Sequence, residues 1–294
     1  MGRMIRILSY LAKGGMLCLL FTACNPGTKR AAPHPAPEIP ELVIYCENGM
    51  AAPIYELARI FEMRYACKVH IHNDNARNLL HTISNSSDGD LYIPDSEYGL
   101  DLLRQTDPKL LGTSLYLGSN RLIAMVPRNN PEAFGGSLPE LTDPRFALIL
   151  ANPESSSLGH HTRELLLQAG IYPEVIQNTL TLSADNRGLV RSIQRGEATL
   201  TIDWLSSYFY NSNQNYVDTV SLQGFHPEAQ VYAALLAKPA HPGLAHTFLA
   251  LLSSAETVEL LSHHGLVRKR QVIQTQQEIP ENDSNPKNLE KLRD

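Results

Sequence analysis

Short apolar runs alternate with longer stretches in which apolar residues recur every three or four positions. Leu42-Val43-Ile44-Tyr45 reads as a buried strand. Pro53 then opens a helix whose stripe is Ile54, Leu57, Phe61 and Tyr65, with Glu56, Arg59 and Glu62 on the outer face. Val69-His70-Ile71-His72 predicts a second strand, and Asn75 caps a helix with Leu79, Leu80 and Ile83 inward. Asp90-Leu91-Tyr92-Ile93 is a third strand, and a helix follows around Gly99 to Arg104. The pattern resumes with strands at 121–126 and 147–150, then a helix over 158–169 closed by Gly170. A helix over 186–194 ends at Gly196, strands follow at 199–202 and 231–237, and helices over 242–253 and 255–262 close the pattern. Repeated strand-helix-strand units predict an α/β fold with mostly parallel sheets covered on both faces, and a binding crevice at the carboxyl ends of the strands.

Both ends depart from this pattern. Arg3, Arg6 and Lys13 precede a short apolar run from Gly14 to Thr22, then Ala23 and Cys24. That order predicts a bacterial lipoprotein signal over 1–23, cut before Cys24 so that its thiol carries a diacylglycerol. The run is shorter than the roughly 18 residues of a membrane span. Pro26, Pro33, Pro35, Pro37 and Pro40, with almost no large apolar residue between them, make 24–40 a stiff linker. The segment 274–294 lacks apolar periodicity and reads as a flexible tail.

Composition adds two exclusions. A hydrophobic fraction of 43% and a charged fraction of 19% are those of a globular chain, and a net charge of −5 leaves no basic footprint for nucleic acid. Beyond Cys18 and Cys24, only Cys46 and Cys67 enter the folded part. They fall at opposite ends of neighbouring parallel strands, farther apart than a disulfide spans, so two free, buried thiols are expected.

The strand Leu42-Val43-Ile44-Tyr45 with its small-residue turn and helix, then Asp90-Leu91-Tyr92-Ile93-Pro94, resembles the first lobe of periplasmic molybdate/tungstate-binding proteins. Asn152-Pro153-Glu154-Ser155-Ser156-Ser157-Leu158-Gly159 is similar to that family's turn into the second lobe, and Ala240-His241-Pro242 through Gly265-Leu266 to the closing segment of ABC-transporter substrate-binding proteins. The resemblance implies a type II periplasmic-binding fold: lobe 1 from 41–118 and 225–273, lobe 2 from 119–224, and hinge crossings near 115–121 and 222–231. It also implies a protein that closes around a ligand and passes it to a permease.

The resemblance places the oxyanion's partners at helix starts, where free N–H groups and partial positive charge meet. Its first serine position is Gly49, its second Ala76, and its late aromatic position Trp204. Both hydroxyls are replaced, and Glu47, Asp74 and Asp203 sit near the implied mouth, where carboxylates repel a dianion. Backbone amides, Asn48, Asn75 and Ser155 to Ser157 remain as donors, and Arg77 offers a guanidinium fork to a carboxylate or phosphate-like group. The expected ligand-binding set is Asn48, Gly49, Asn75, Ala76, Arg77, Ser156 and Trp204.

The other constellations are weaker. His70 and His72, His160 and His161, and His263 and His264 are dispersed pairs without a cysteine partner, which is not a zinc set. His161 and Glu164 form half of a zincin helix with no second histidine, and no Gly-x-Ser-x-Gly elbow or phosphate loop is present, so no catalytic residue, metal or cofactor is expected. Trp204, Tyr208, Phe209 and Tyr210 form an aromatic knot suited to packing or to an organic ligand.

The sequence therefore predicts a non-enzymatic, monomeric solute-binding lipoprotein, held to a membrane through Cys24 on its periplasmic or cell-surface side. It would capture a small, anionic solute, a molybdate/tungstate-like oxyanion or a relative, for an inner-membrane ABC permease. Two alternatives stand beside it: a non-transporting lipoprotein with a degenerate pocket, acting as sensor or interaction module, and a metal or cation binder using Glu47, Asp203 and histidines.

Overall fold

Strand β1 (Glu41–Glu47) is parallel to β2 (Lys68–Asp74) on one side and β3 (Leu91–Ile93) on the other. Helix α1 (Ala51–Arg64) connects β1 to β2, and α2 (Ala76–Asn85) connects β2 to β3. These coordinates are a computed structural model that describes residues 39–86 and 88–268. The expected signal peptide, Cys24, most of the linker and the tail lie outside the described residues.

After α3 (Glu97–Thr106) the chain enters β4 (Leu111–Pro127), the longest strand. Its first part pairs antiparallel with β9 (Glu228–Leu236) as far as Arg121 opposite Glu228. From Leu122 it pairs instead with β7 (Leu200–Trp204), while β8 (Val217–Val220) joins its other side. In the second half, β5 (Leu148–Ala151) is parallel to β6 (Thr179–Ser183) and β7. Strand order is β2-β1-β3-β9-β4-β7-β5-β6, so two parallel groups are joined through the antiparallel strands β4 and β9.

The apolar core divides at that junction. One cluster is built on Leu122 to Val126, Leu148 to Ala151, Leu165, Leu166, Leu189 and Ile202. A second joins β1 and β3 to α1 and to α8 (Pro242–Leu252) and α9 (Ala255–His263), with Phe61 meeting Phe248 edge-on at 5.1 Å, and a third packs Leu79, Ile83, Leu100 and Leu103 against Tyr45 and Tyr92 on the opposite face of the same lobe. The chain passes between these two lobes along β4 and again on entering β9.

Three differences from the sequence reading have physical causes. β4 begins at Leu111 rather than 121, because Gly112, Thr113 and Ser114 are exposed on one rim and carry no apolar alternation. α5 (Tyr172–Asn178) and β6 were not predicted; β6 is an edge strand whose Leu180 and Leu182 face solvent. Tyr65, expected in the α1 stripe, caps the helix end and is 40% exposed, its ring leaning on Phe61 at 4.6 Å. Cys46 and Cys67 are free and buried, Cys46 opposite Asn73 and the start of β2 opposite Glu41.

Candidate functional site

Three strands deliver a carboxylate each to one buried place between the lobes. Glu47 ends β1, just before the tight turn Asn48–Met50 that leads into α1. Asp95 follows Pro94 at the end of β3, and Asp203 is the penultimate residue of β7, ahead of Trp204 and the short helix α7 (Leu205–Tyr208). Their exposures are 1%, 4% and 0%.

Each carboxylate has a defined partner. The Tyr92 hydroxyl donates to Glu47 Oε1 at 2.6 Å, and Ser157 Oγ lies near Glu47 without a hydrogen bond of normal geometry. Gly99 permits the Tyr92–Glu47 pair, since a Cβ there would overlap both Glu47 Oε1 and the Tyr92 hydroxyl. The Met50 amide donates to Asp95 Oδ1 at 3.1 Å, and the Gly49 amide also favours charge on Asp95. Asp203 Oδ1 accepts from the Trp204 amide at 2.7 Å, while Ser207 and Asn186 lie near the carboxylate and its buried Oδ2 makes no hydrogen bond of normal geometry. The resemblance reserved the amides at the start of α1 for an oxyanion; the chain's own Asp95 occupies them.

Burial drives the protonation of all three groups. Desolvation raises Glu47, opposed by its bond from Tyr92 and by the nearby Ser157 hydroxyl. Asp95 is pushed well up, first by desolvation and then by repulsion from Glu47 and, across the lobes, Asp203. Desolvation pushes Asp203 up to about 8, despite help from Ser207, the Trp204 amide and Asn186. Among the described residues, no lysine, arginine or histidine forms an ion pair with any of the three.

Unpartnered polar atoms surround this cluster. Both polar atoms of Asn48, Oδ1 of Asn186 and the indole Nε1 of Trp204 are buried with no hydrogen-bond partner. Asn186, at the start of α6 (Asn186–Gln194), gives its Nδ2 to Ser207 Oγ at 2.9 Å. Asn48, Asn186, Arg187, Ser207, Tyr210 and Asn213 enclose about 10 Å³ of free space, close to what a single water needs. Arg187, the one cation on this cavity, is engaged by Asp185 at 2.9 Å.

A second seam closes the cleft beside α2. Asn75 caps α2 by accepting from the Asn78 amide at 2.9 Å, and Ala76 is buried at 1% exposure. Ser156 caps α4 (Ser157–Gln168) by accepting from the Gly159 amide at 3.0 Å. The Arg77 amide donates to the Ser155 carbonyl at 3.1 Å, and its Nε donates to the Glu154 carbonyl at 2.8 Å. The side chain expected as a free fork for an anion thus pins lobe 1 to lobe 2. Tyr98 stacks on His160 at 3.7 Å next to this seam, along a half-open groove of about 480 Å³. Arg77→Ala removes one charge-assisted bond of the closed form, about 1 kcal/mol in this exposed setting. Hydrogen exchange of the amide at position 77 is expected to quicken about fivefold, and an unchanged rate would show that the side chain holds nothing closed.

The expected site residues therefore separate. Asn48, Gly49 and Trp204 meet at the buried cluster, where a Cβ on Gly49 would lie 2.9 Å from both Asp95 Cγ and Trp204 Cδ1. Asn75, Ala76, Arg77 and Ser156 form the seam. Asp95 was missed, although its position two residues beyond the third strand marked it. Asn186 and Ser207 gave no local signal. Asp74, expected at the mouth, accepts from the Asn75 amide at 2.7 Å and from Asn78 Nδ2 at 3.0 Å.

The histidines do not converge. His70 faces Glu41 at 3.2 Å, His72 stacks on Tyr45, and His264 meets Glu56 at 3.0 Å. His161 packs edge-on against Trp204, and burial together with His160 lowers its pKa to about 4. Among the described residues, no three His, Cys, Asp or Glu side chains are grouped to hold a metal ion.

Two α/β lobes linked by a pair of crossing strands, with buried polar groups converging between them, define a type II binding protein. A family model for bacterial extracellular solute-binding proteins matches residues 42–267, and the chain belongs to that family. Its members bind solutes for ABC transporters outside the cytoplasm and are not enzymes. No curated protein sequence matches the chain. Among solved structures, a periplasmic thiamin binding protein is similar at 16% identity, with TM-score 0.67, covering 81% of this chain and 87% of that one. The periplasmic molybdate-binding protein of Azotobacter vinelandii is similar at 13% identity and TM-score 0.65, covering 78% and 100%. PEB3 with L-phospholactate bound matches at 13% and 0.64, with the same coverage. At these identities the likeness is one of fold.

Proposed function

We propose that this chain is a monomeric lipoprotein, anchored through Cys24, that captures a small solute between its lobes by hinge closure and delivers it to an ABC permease. The observation that carries this reading is the set of buried, unpartnered polar atoms at the closed cleft: Asn48 Oδ1 and Nδ2, Asn186 Oδ1 and Trp204 Nε1. Groups this deeply buried normally have partners, and a bound solute would supply them. A molybdate- or tungstate-like ligand is the weaker choice of solute. Its seat at the start of α1 holds Asp95, and both serine positions lack hydroxyls.

The small free space in the closed cleft favours a second reading, that of an interaction module that kept the fold without the transport. Native mass spectrometry of the full chain, extracted gently from its own membrane, separates the two. Transport predicts one noncovalently held small molecule per chain and an N-terminal Cys24 carrying lipid. A chain that carries no solute at any stage of purification would favour the interaction module.

A further inference from the structure

We propose that the solute is an uncharged polyol or sugar that presents two neighbouring hydroxyls to Asn48 of lobe 1 and Asn186 of lobe 2. The assignment rests on the solute-capture reading above and names the chemistry of that same cleft.

The free space in the closed cleft is walled from both lobes. Asn48, in the turn before α1, comes from lobe 1. Asn186 at the start of α6, Ser207 on α7, and Tyr210 and Asn213 in the helical turn Tyr210–Asn215 come from lobe 2. Asn48 and Asn186 are 4% and 6% exposed, and both line this space while carrying atoms that have no partner. Asn48 offers one donor and one acceptor whichever way its amide is turned. Asn186 has already given its Nδ2 to Ser207 Oγ, which leaves Oδ1 as a second free acceptor. The complement of this set is a group with two donors and one acceptor. A pair of adjacent hydroxyls supplies it, each O–H donating to one amide oxygen and one oxygen accepting from Asn48 Nδ2.

Nothing on this space calls for a charged ligand. Among the described residues that line it, five of six are uncharged, and the sixth, Arg187, already gives Nε and Nη2 to Asp185 Oδ2 at 3.3 and 2.9 Å. The space of about 10 Å³ takes one hydroxyl-sized group, so the second hydroxyl and the carbon body extend toward the half-exposed Arg187 and Tyr210. Tyr55 of α1, 41% exposed, lies within electrostatic range of both. The mouth thus carries one tyrosine from each lobe. Such rings present an apolar face to the C–H side of a sugar and a hydroxyl to its polar edge.

The test is thermal unfolding of the full chain in mild detergent, with glycerol, D-ribose, D-glucose and myo-inositol set against molybdate, phosphate and ethanolamine. All are used at millimolar concentration, below the range in which sugars stabilise proteins merely by exclusion from their surface. At least one polyol is expected to raise Tm by several degrees. Its affinity should stay within about twofold between low and high salt, because the ligand carries no charge to screen. Asn48→Ala is expected to weaken that polyol by about tenfold or more. The same variant should not lower the Tm of the polyol-free chain, since the Asn48 amide makes no hydrogen bond there. A lowered Tm with an unchanged polyol response would mean that Asn48 holds a buried water, and would overturn the inference. Stabilisation by an oxyanion or by ethanolamine where no polyol acts would overturn it too, and leave solute capture standing. Silence from every probe also overturns it. Native mass spectrometry then decides solute capture separately, which a small molecule held by the chain would preserve.

Discussion

Gly49→Val is expected to weaken solute capture about a hundredfold while leaving both lobe cores folded. A Cβ at this position would lie 2.9 Å from Asp95 Cγ, Asp95 Oδ1 and Trp204 Cδ1, closer than real Cβ atoms come to their neighbours. Neither neighbour yields freely. Trp204 is fully buried in the lobe 2 core, and Asp95 is held by the Met50 amide. Parting the lobes relieves the Trp204 contact, whereas Asp95 shares lobe 1 with Gly49 and has to shift in the open form as well. Overpacking typically costs about 1–3 kcal/mol. Applied to the Trp204 contact, which only the closed state makes, the upper end of that range lowers apparent affinity about a hundredfold. Measured Tm should also fall by several degrees, since the Asp95 contact within lobe 1 persists in the open form. Gly49→Ala should be intermediate. Wild-type affinity in the valine variant would mean that the site is not formed by closure at this point.

Asp203→Asn is expected to stabilise the solute-free closed form at pH 8 and to leave it nearly unchanged at pH 4. Asp203 titrates near 3.8 when exposed and near 8 in the closed protein, so between those values the closed state holds a proton that the opened chain releases. Stability therefore falls as pH rises through this window, by about 1.4 kcal/mol per unit at most. The full contribution is present below about pH 4 and is gone above about pH 8. Glu47 and Asp95 shift in the same direction and add to the slope. Tyr92 and Cys46, also pushed up by burial and by these carboxylates, stay neutral throughout. Asparagine cannot ionise, so the variant should lose most of the slope and gain several degrees in Tm at pH 8. A wild-type chain equally stable at pH 5 and pH 8 would show that these groups remain hydrated, and hence that the cleft does not close when empty.

These two expectations show how much the sequence disclosed. The strand and helix order was legible because β1, β3, β5 and β7 are short apolar runs buried on both faces, and because Asn75, Gly170 and Gly196 mark helix ends. β4 and β6 were harder. The first carries an exposed polar rim, and the second turns its leucines outward as an edge strand. Glu47 and Asp203 could be placed near the mouth because carboxyl ends of parallel strands converge there. Their burial beside Asp95 could not, since it depends on which loop of one lobe meets which strand of the other. Arg77 shows the same limit. Its place in the first turn of α2 was readable, but its engagement with the Glu154 carbonyl is a contact between segments 77 residues apart.

The central claim, that the lobes trap a solute between them, is tested most directly by an interlobe distance. Spin labels at Thr106 on α3 and Leu167 on α4 sit on exposed faces of opposite lobes. Pulsed electron resonance of the solute-free chain at pH 8 should give two distances, and the chain isolated with its solute should give only the shorter. Gly49→Val should show the longer distance under both conditions. A single distance, the same with and without solute and unchanged by the valine, would contradict the account.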